Sequence, residues 1–288
     1  MKSYQSYSKI NLFLNVTGRY KNGYHSIKSL FCRATLFDSI SYSLNDTNKI
    51  KIIDKKNILP ENNLLKTAAD KIISSLNGRI PFGIDFTIEK KIPIGGGLGG
   101  GSSNAASVLK ILNKEWRLNF GVEKLKKIAR QIGADVPFFI EGGTQKVFGV
   151  GEIVKSIKTG IPVFYLILVF PEIQVSTPAA YKLIDDNNMA CESYEERKMF
   201  KKLIEGYRSN DYKKIISNVY NKFEYPVFAQ NKILSDIKNG VLDSGADASV
   251  MSGSGSTIIG IYETYEKRKM GIERLQSYGY NVEPVEIF

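Results

Sequence analysis

Histidine occurs once in this 288-residue chain, as His25, and cysteine only twice, as Cys32 and Cys191. A zinc or non-haem iron centre built on histidine and cysteine is nearly excluded by that scarcity. So is any nucleophile–histidine triad that does not use His25 itself. The two cysteines lie far apart and give neither a disulfide framework nor metal-ligand spacing. Acidic residues are short as well: 29 against 40 basic, a formal charge of +11. Such a balance favours anionic partners, whether phosphorylated metabolites, nucleic acid or a membrane surface, without choosing among them. Long apolar runs are missing. The most apolar stretch, Ile161–Phe170, contains Pro162 and reaches about half the length a bilayer span needs. It reads as a buried strand. The opening residues MKSYQSYSKINLFLNV are polar where a signal peptide needs an apolar centre. The expectation is a cytoplasmic protein with no membrane partner.

What remains is globular in character, with 43% hydrophobic and 24% charged residues. The length suits one large domain or two modest ones, and a composition shift places a soft boundary near residues 150–160. Strands are expected at Ile10–Val16, Ser29–Leu36, Asp38–Leu44 and Ile50–Ile53, then at Pro81–Ile88, where Phe82, Ile84, Phe86 and Ile88 alternate with polar neighbours. Asn63–Leu76 and Val122–Ile132 carry helical spacing, and Ala134–Phe139 reads as another extended segment. Asp185–Tyr212 reads as surface helices. A last strand and helix are expected at Ile258–Tyr262 and Glu266–Tyr278.

One segment stands apart: Pro93-Ile94-Gly95-Gly96-Gly97-Leu98-Gly99-Gly100-Gly101-Ser102-Ser103-Asn104-Ala105-Ala106. Six glycines in seven positions cost too much backbone entropy for a helix or strand interior. The helix expected next, marked by Ala105, Val108, Leu109 and Leu112, would take Ser102 or Ser103 as its N-cap. A glycine loop opening a helix makes an anion site, because backbone N–H groups approach closely and the helix end supplies unpaired donors. Two common phosphate loops do not fit. Aligning Gly95 and Gly100 with the Walker pattern puts Gly101 where its lysine belongs. The dinucleotide fingerprint matches formally at Gly95, Gly97 and Gly100, but its acidic partner could only be Glu123, which opens a helix.

The pattern Pro93-x-x-x-Gly97-Leu98-Gly99-x-x-Ser102-Ser103-x-Ala105-Ala106 resembles the ATP loop of the GHMP kinases, the galactokinase, homoserine kinase, mevalonate kinase and phosphomevalonate kinase superfamily. Lys9-Ile10-Asn11-Leu12 and Ser252-Gly253-Ser254-Gly255-Ser256 agree in order and spacing. With Gly23-Tyr24-His25 and Gly133-Ala134-Asp135-Val136-Pro137-Phe138-Phe139, the chain resembles the branch that phosphorylates the 2-hydroxyl of a cytidine-diphosphate-linked methylerythritol in the non-mevalonate isoprenoid pathway. It departs from that branch at Tyr7 and Ser8, where proline and alanine are common before the lysine.

The resemblance implies an α+β fold of two domains. Residues 1–155 would form the ATP-binding and catalytic domain, like the second domain of ribosomal protein S5, and residues 156–288 a ferredoxin-like substrate-binding domain. Asp135 sits where a carboxylate is costly unless paired or used. By its residues alone it is a helix cap or a base; the resemblance makes it the base, with Lys9 its helper. Asn11 shares a strand face with Lys9 and is placed near the reacting hydroxyl. Tyr24 and His25 are expected to hold the cytosine, with Tyr181 on its other face and Thr177 close by. For ATP the resemblance implies Asn63, Leu64, Lys90, Pro93, Gly95, Gly96, Gly97, Leu98, Gly99, Gly100, Gly101, Ser102 and Ser103, joined by Ser252, Gly253, Ser254 and Gly255. The chemistry calls for Mg2+, which would ride on the ATP phosphates with Ser103 or Asp135 nearby. The expected partner is a small molecule carrying a cytidine diphosphate, with no nucleic acid, and the chain a monomer or weak homodimer. Two rivals are a related kinase acting on a sugar, homoserine or mevalonate-type alcohol, and an RNA-binding module suggested by the charge. Against the second, the aromatics do not interleave with the basic residues as base-stacking surfaces require.

Overall fold

The computed structural model describes residues 1–54, 58–60, 63–157, 160, 162 and 164–288. They gather into two units interleaved along the chain. One takes Met1–Ser8, Leu36–Ile94 and Gly99–Gly142, the other Lys9–Thr35, Gly95–Leu98 and Gly143–Phe288. Two long strands, β1 (Lys2–Arg19) and β2 (His25–Asn45), contribute residues to both. The sequence suggested separate strands at Ser29–Leu36 and Asp38–Leu44. They are one strand, because nothing between His25 and Asn45 breaks it: the segment holds no glycine or proline.

In the first unit, the end of β2 pairs antiparallel with β4 (Gly83–Glu89), from Ser39 opposite Glu89 to Asn45 opposite Gly83. On the other edge of β4 lies parallel β3 (Ile50–Asp54). Along β4 Ile84, Phe86 and Ile88 are buried and Asp85 and Thr87 are not, as the alternation predicts. Helix α1 (Leu64–Ser74) buries Leu65, Ala68, Ala69 and Ile72, and Asn63 caps it by accepting from the Lys66 amide at 3.1 Å. Helix α2 (Gly100–Glu115) begins earlier than expected: its N-cap is Gly99, not Ser102 or Ser103. Gly99 has φ 68°, a left-handed conformation that glycine takes without strain. Helix α3 (Val122–Ala129) follows, then α4 (Val136–Glu141) in place of the expected extended segment. Proline belongs in a first helical turn, where it needs no N–H, and the turn buries Val136, Phe138, Phe139 and Ile140 together.

In the second unit, β1 pairs parallel with short β8 (Tyr220–Asn221), Phe13 opposite Tyr220. There β2 pairs antiparallel with β5 (Thr144–Phe148), and β5 with β6 (Ile153–Ser156). A second sheet runs β11 (Val282–Val285), β7 (Tyr165–Val169), β10 (Ile258–Tyr262), β9 (Ala248–Met251), antiparallel throughout. Helices α5 (Thr177–Asp186), α6 (Tyr194–Ser209), α7 (Tyr212–Ile216), α8 (Glu224–Gln230) and α9 (Lys232–Asp243) lie between β7 and β9 in the chain, and α10 (Tyr265–Ser277) precedes β11. That order, with its last strand beside its first, is the ferredoxin-like arrangement expected of the C-terminal part. Of the strand expected at Ile161–Phe170, Ile161 and Val163 lie outside the described residues, and β7 covers the rest up to Val169.

Candidate active site

Within the second unit, the Gly95–Leu98 part of the glycine loop is held by a second loop, Ser252–Gly255. Gly97 has φ 75°, and a Cβ there would overlap the carbonyl oxygen of Ser252. A Cβ on Gly253 would lie 2.9 Å from the Gly97 oxygen. Only glycine permits this approach. The Ser252 hydroxyl donates to Gly97 O at 3.2 Å, and the Lys9 amide donates to Leu98 O at 3.0 Å. Asn221, buried on β8, secures the second loop by donating to the carbonyls of Met251 and Gly253, both at 2.7 Å. Glu224 accepts from the Met251 amide at 2.7 Å. Gly95, with φ 76°, borders open space.

In the first unit, Gly99 leaves the start of α2 with no side-chain cap, so the amides there keep their donors for another acceptor. A buried polar cluster anchors that helix end. Fully buried Asp38 accepts from the amides of Lys91 and Ile92 at 2.8 and 2.9 Å and from Asn104 at 2.9 Å. It also pairs with the Lys90 ammonium, which donates to Asn104 at 3.1 Å. Asn104 donates to the Ser6 hydroxyl at 2.9 Å, which donates to Ser103 at 2.8 Å. Lys90, expected at the ATP base, is here the internal counter-ion of Asp38.

Lys9 is buried, an expensive place for an ammonium. It donates to Asn11 Oδ1 at 2.6 Å and lies over the Phe31 ring, 4.6 Å from its centroid. Asn11 in turn donates to Ser29 at 3.0 Å. The sharing of one strand face by Lys9 and Asn11 is as expected. Asp135, in the first unit, stands at the N-cap of α4 without capping it through its side chain, which removes the plain capping explanation for a carboxylate there.

On α5, Thr177, Tyr181 and Asp185 follow at spacings of four and share a face. Thr177 shares a hydrogen bond with Ser254 at 2.8 Å, joining the helix start to the second glycine loop. Tyr181 stacks on His25, ring centroids 4.7 Å apart and 23° between planes, and meets Phe223 edge-on at 5.0 Å. Asp185 accepts from His25 Nε2 at 2.7 Å, while Arg19 stands 3.4 Å from its other oxygen. Tyr24 is 64% exposed. His25, Tyr181 and Thr177 thus come together, whereas Tyr24 stands out in solvent.

The GHMP kinases N terminal domain matches residues 63–143, and the GHMP kinases C terminal domain residues 199–281. A 4-diphosphocytidyl-2-C-methyl-D-erythritol kinase from Thermoanaerobacter pseudethanolicus (strain ATCC 33223 / 39E) is 34% identical over 274 residues, covering 94% of this chain and 91% of its own. The chain belongs to the GHMP kinase family. A relative of the same name from Clostridioides difficile (strain 630) is 36% identical over 274 residues, covering 94% of this GHMP kinase and 90% of itself. A crystal structure of 4-(cytidine 5'-diphospho)-2C-methyl-D-erythritol kinase superposes with TM-score 0.81 at 27% identity, over 99% of both chains. The Methanococcus jannaschii mevalonate kinase shares the fold, with TM-score 0.74 at 16% identity over 100% of this chain and 98% of its own.

Membership of this kinase family implies ATP as co-substrate, and the start of α2, uncapped by any side chain, offers backbone donors that fit a phosphate. No three histidine, cysteine or acidic side chains gather into a metal cage among the described residues. No described helix is long and apolar enough to cross a membrane. Three residues escaped the sequence reading. Asp185 was recoverable from its place four residues after Tyr181; Asn221 and Asp38 had no local signal.

Proposed function

We propose that this GHMP kinase transfers the γ-phosphoryl group of ATP to the 2-hydroxyl of 4-diphosphocytidyl-2-C-methyl-D-erythritol. The supporting observation is the extent of the likeness: relatives bearing that enzyme's name are 34% and 36% identical across 94% of the chain. Phosphoryl transfer asks a protein for positioning, charge neutralisation and a proton acceptor. Asp135 takes the hydroxyl proton as the substrate oxygen bonds to the γ-phosphorus and the bond to the bridging oxygen of ADP breaks. Lys9 stabilises the charge, its ammonium fixed in direction by Asn11 and Phe31. Asn11 orients the reacting hydroxyl.

The two glycine loops, with Ser102, Ser103 and the start of α2, cradle the triphosphate through backbone donors, and Asn63, Leu64, Lys90 and Pro93 border the ATP base. Mg2+ would neutralise phosphate charge, held by the phosphates themselves with Ser103 or Asp135 close. Tyr24, His25 and Tyr181 take the cytosine, and Thr177 the substrate beside them. Binding energy gathered at this distant base positions the small polyol for reaction. In this reading residues 1–155 carry ATP and the chemistry, residues 156–288 carry substrate, and the enzyme works in the cytoplasm as a monomer or weak dimer.

The test is coupled ADP release with ATP and Mg2+, comparing the diphosphocytidyl methylerythritol with homoserine, galactose and mevalonate. Turnover with the first alone is expected. Turnover with another of the four keeps the family and removes the cytosine site.

A further inference from the structure

His25 is the one histidine of the chain, and its environment is built from three directions. The residue is 8% exposed. Tyr181 covers one face at 4.7 Å and nearly parallel, which fixes the plane. Asp185 then fixes the rotation within that plane, 2.7 Å from Nε2. A carboxylate can only accept, so Nε2 is the nitrogen that carries the proton. Arg19 stands 3.4 Å from the other carboxylate oxygen. Among the described residues nothing hydrogen-bonds Nδ1. In the neutral ring, a proton held on Nε2 leaves Nδ1 as an acceptor with no second donor.

That distinction matters for pyrimidines. Cytosine carries an amino group at the position where uracil carries a carbonyl oxygen, so one presents a donor and the other an acceptor. An acceptor at Nδ1 welcomes the amino group and faces the uracil oxygen with no proton between them. A buried polar site left unpaired in this way discriminates strongly against the wrong ligand.

We infer that Asp185 is a positioning residue that sets the tautomer of His25, and through it the preference of this kinase for cytosine over uracil. The inference rests on the cytidine-diphosphate substrate proposed above. It adds a residue outside the binding set that decides which base the set accepts. Thr177, Tyr181 and Asp185 on one face of α5 then link the base site to the phosphate loop through a single rigid element.

The first measurement is nitrogen-15 NMR of the imidazole, unambiguous because there is one histidine. Wild-type protein should show Nε2 protonated and Nδ1 bare. A ring protonated on Nδ1, or on both nitrogens at neutral pH, overturns the inference while leaving the substrate reading untouched. The second compares wild type with Asp185→Asn, using exposed Asp186→Asn on the same helix as the charge-matched control. Asp185→Asn should show mixed tautomers and a KM for the cytidine substrate raised about tenfold, the effect of about one hydrogen bond. Its ratio of CDP to UDP affinity should fall at least as far, with kcat and the KM for ATP within twofold of wild type. A general loosening of the fold would weaken both nucleotides alike and leave their ratio unchanged, and that result also overturns the inference. If wild-type protein turns over an alcohol without a base, the substrate reading fails first and the base assignment falls with it.

Discussion

Gly97 meets the carbonyl oxygen of Ser252 so closely that no other residue fits at its position. The loops around Gly97 and Ser252 are therefore one structure, each holding the other. Gly97→Ala must push them apart and also strain a backbone at φ 75°, a cost of about 1–3 kcal/mol. The variant should unfold at lower temperature and show a KM for ATP raised at least tenfold. Gly121→Ala is the matched control, since a Cβ there meets nothing within 4 Å at a negative φ. An unchanged KM for ATP in Gly97→Ala would separate the loop contact from nucleotide binding.

Asp135→Asn should separate chemistry from stability. The amide matches the carboxylate in size, and α4 takes no cap bond from this side chain. Loss of the proton acceptor should lower kcat by about a hundredfold or more with both KM values nearly unchanged. A variant that retains most of its turnover removes Asp135 from the chemistry.

Asp38 makes the opposite case, a carboxylate whose work is structural. Asp38→Ala strands the buried Lys90 ammonium, the Asn104 amide and two backbone donors. Breaking such a buried pair from one side costs about 3–5 kcal/mol. The lone tryptophan, Trp116, lies in the same unit and donates to Phe82 O at 3.0 Å, so its fluorescence follows this unfolding in urea. A midpoint equal to wild type would show that the cluster contributes nothing net.

Tyr24 is the exposed member of the proposed base site. Tyr24→Ala should leave stability and the KM for ATP alone and raise the KM for the cytidine substrate. Stacking on a base is worth about 1–3 kcal/mol, so the rise should be between about fivefold and a hundredfold. No rise would mean that the base rests on Tyr181 and His25 alone.

Glu196 gives the fold an acid-sensitive joint. Burial alone would raise its carboxyl, but the Ser193 amide, the Tyr220 hydroxyl and the Lys222 ammonium together hold it below its ordinary 4.5. A carboxyl depressed in the folded state adds stability that is fully present above its unfolded value. That stability is lost as pH falls below about 4.5 and through the folded value. Wild type should therefore lose more stability between pH 6 and pH 3 than Glu196→Gln, as read by thermal unfolding. Equal losses would show that Glu196 titrates alike folded and unfolded.

The chain itself dictated what is local. Alternation along β4, helical spacing in α1 and α2, and glycine density before α2 follow from side-chain period and backbone entropy. They needed no knowledge of neighbours. The motifs around Lys9, Gly97, Asp135 and Ser252 were legible for the same reason, as runs of adjacent residues. Local rules failed where burial outweighed them. Phe138 and Phe139 turned an apparently extended segment into α4, and the unbroken β2 ran through an assumed gap. Tertiary structure alone decided the pairings: Gly97 with Ser252 across 155 residues, His25 with Asp185 across 160, Asp38 with Asn104 across 66. Such contacts depend on which segments the core brings together, and no period or propensity encodes that. The motifs proposed to bind are runs of neighbours in the sequence, whereas the contacts that hold them were settled by packing.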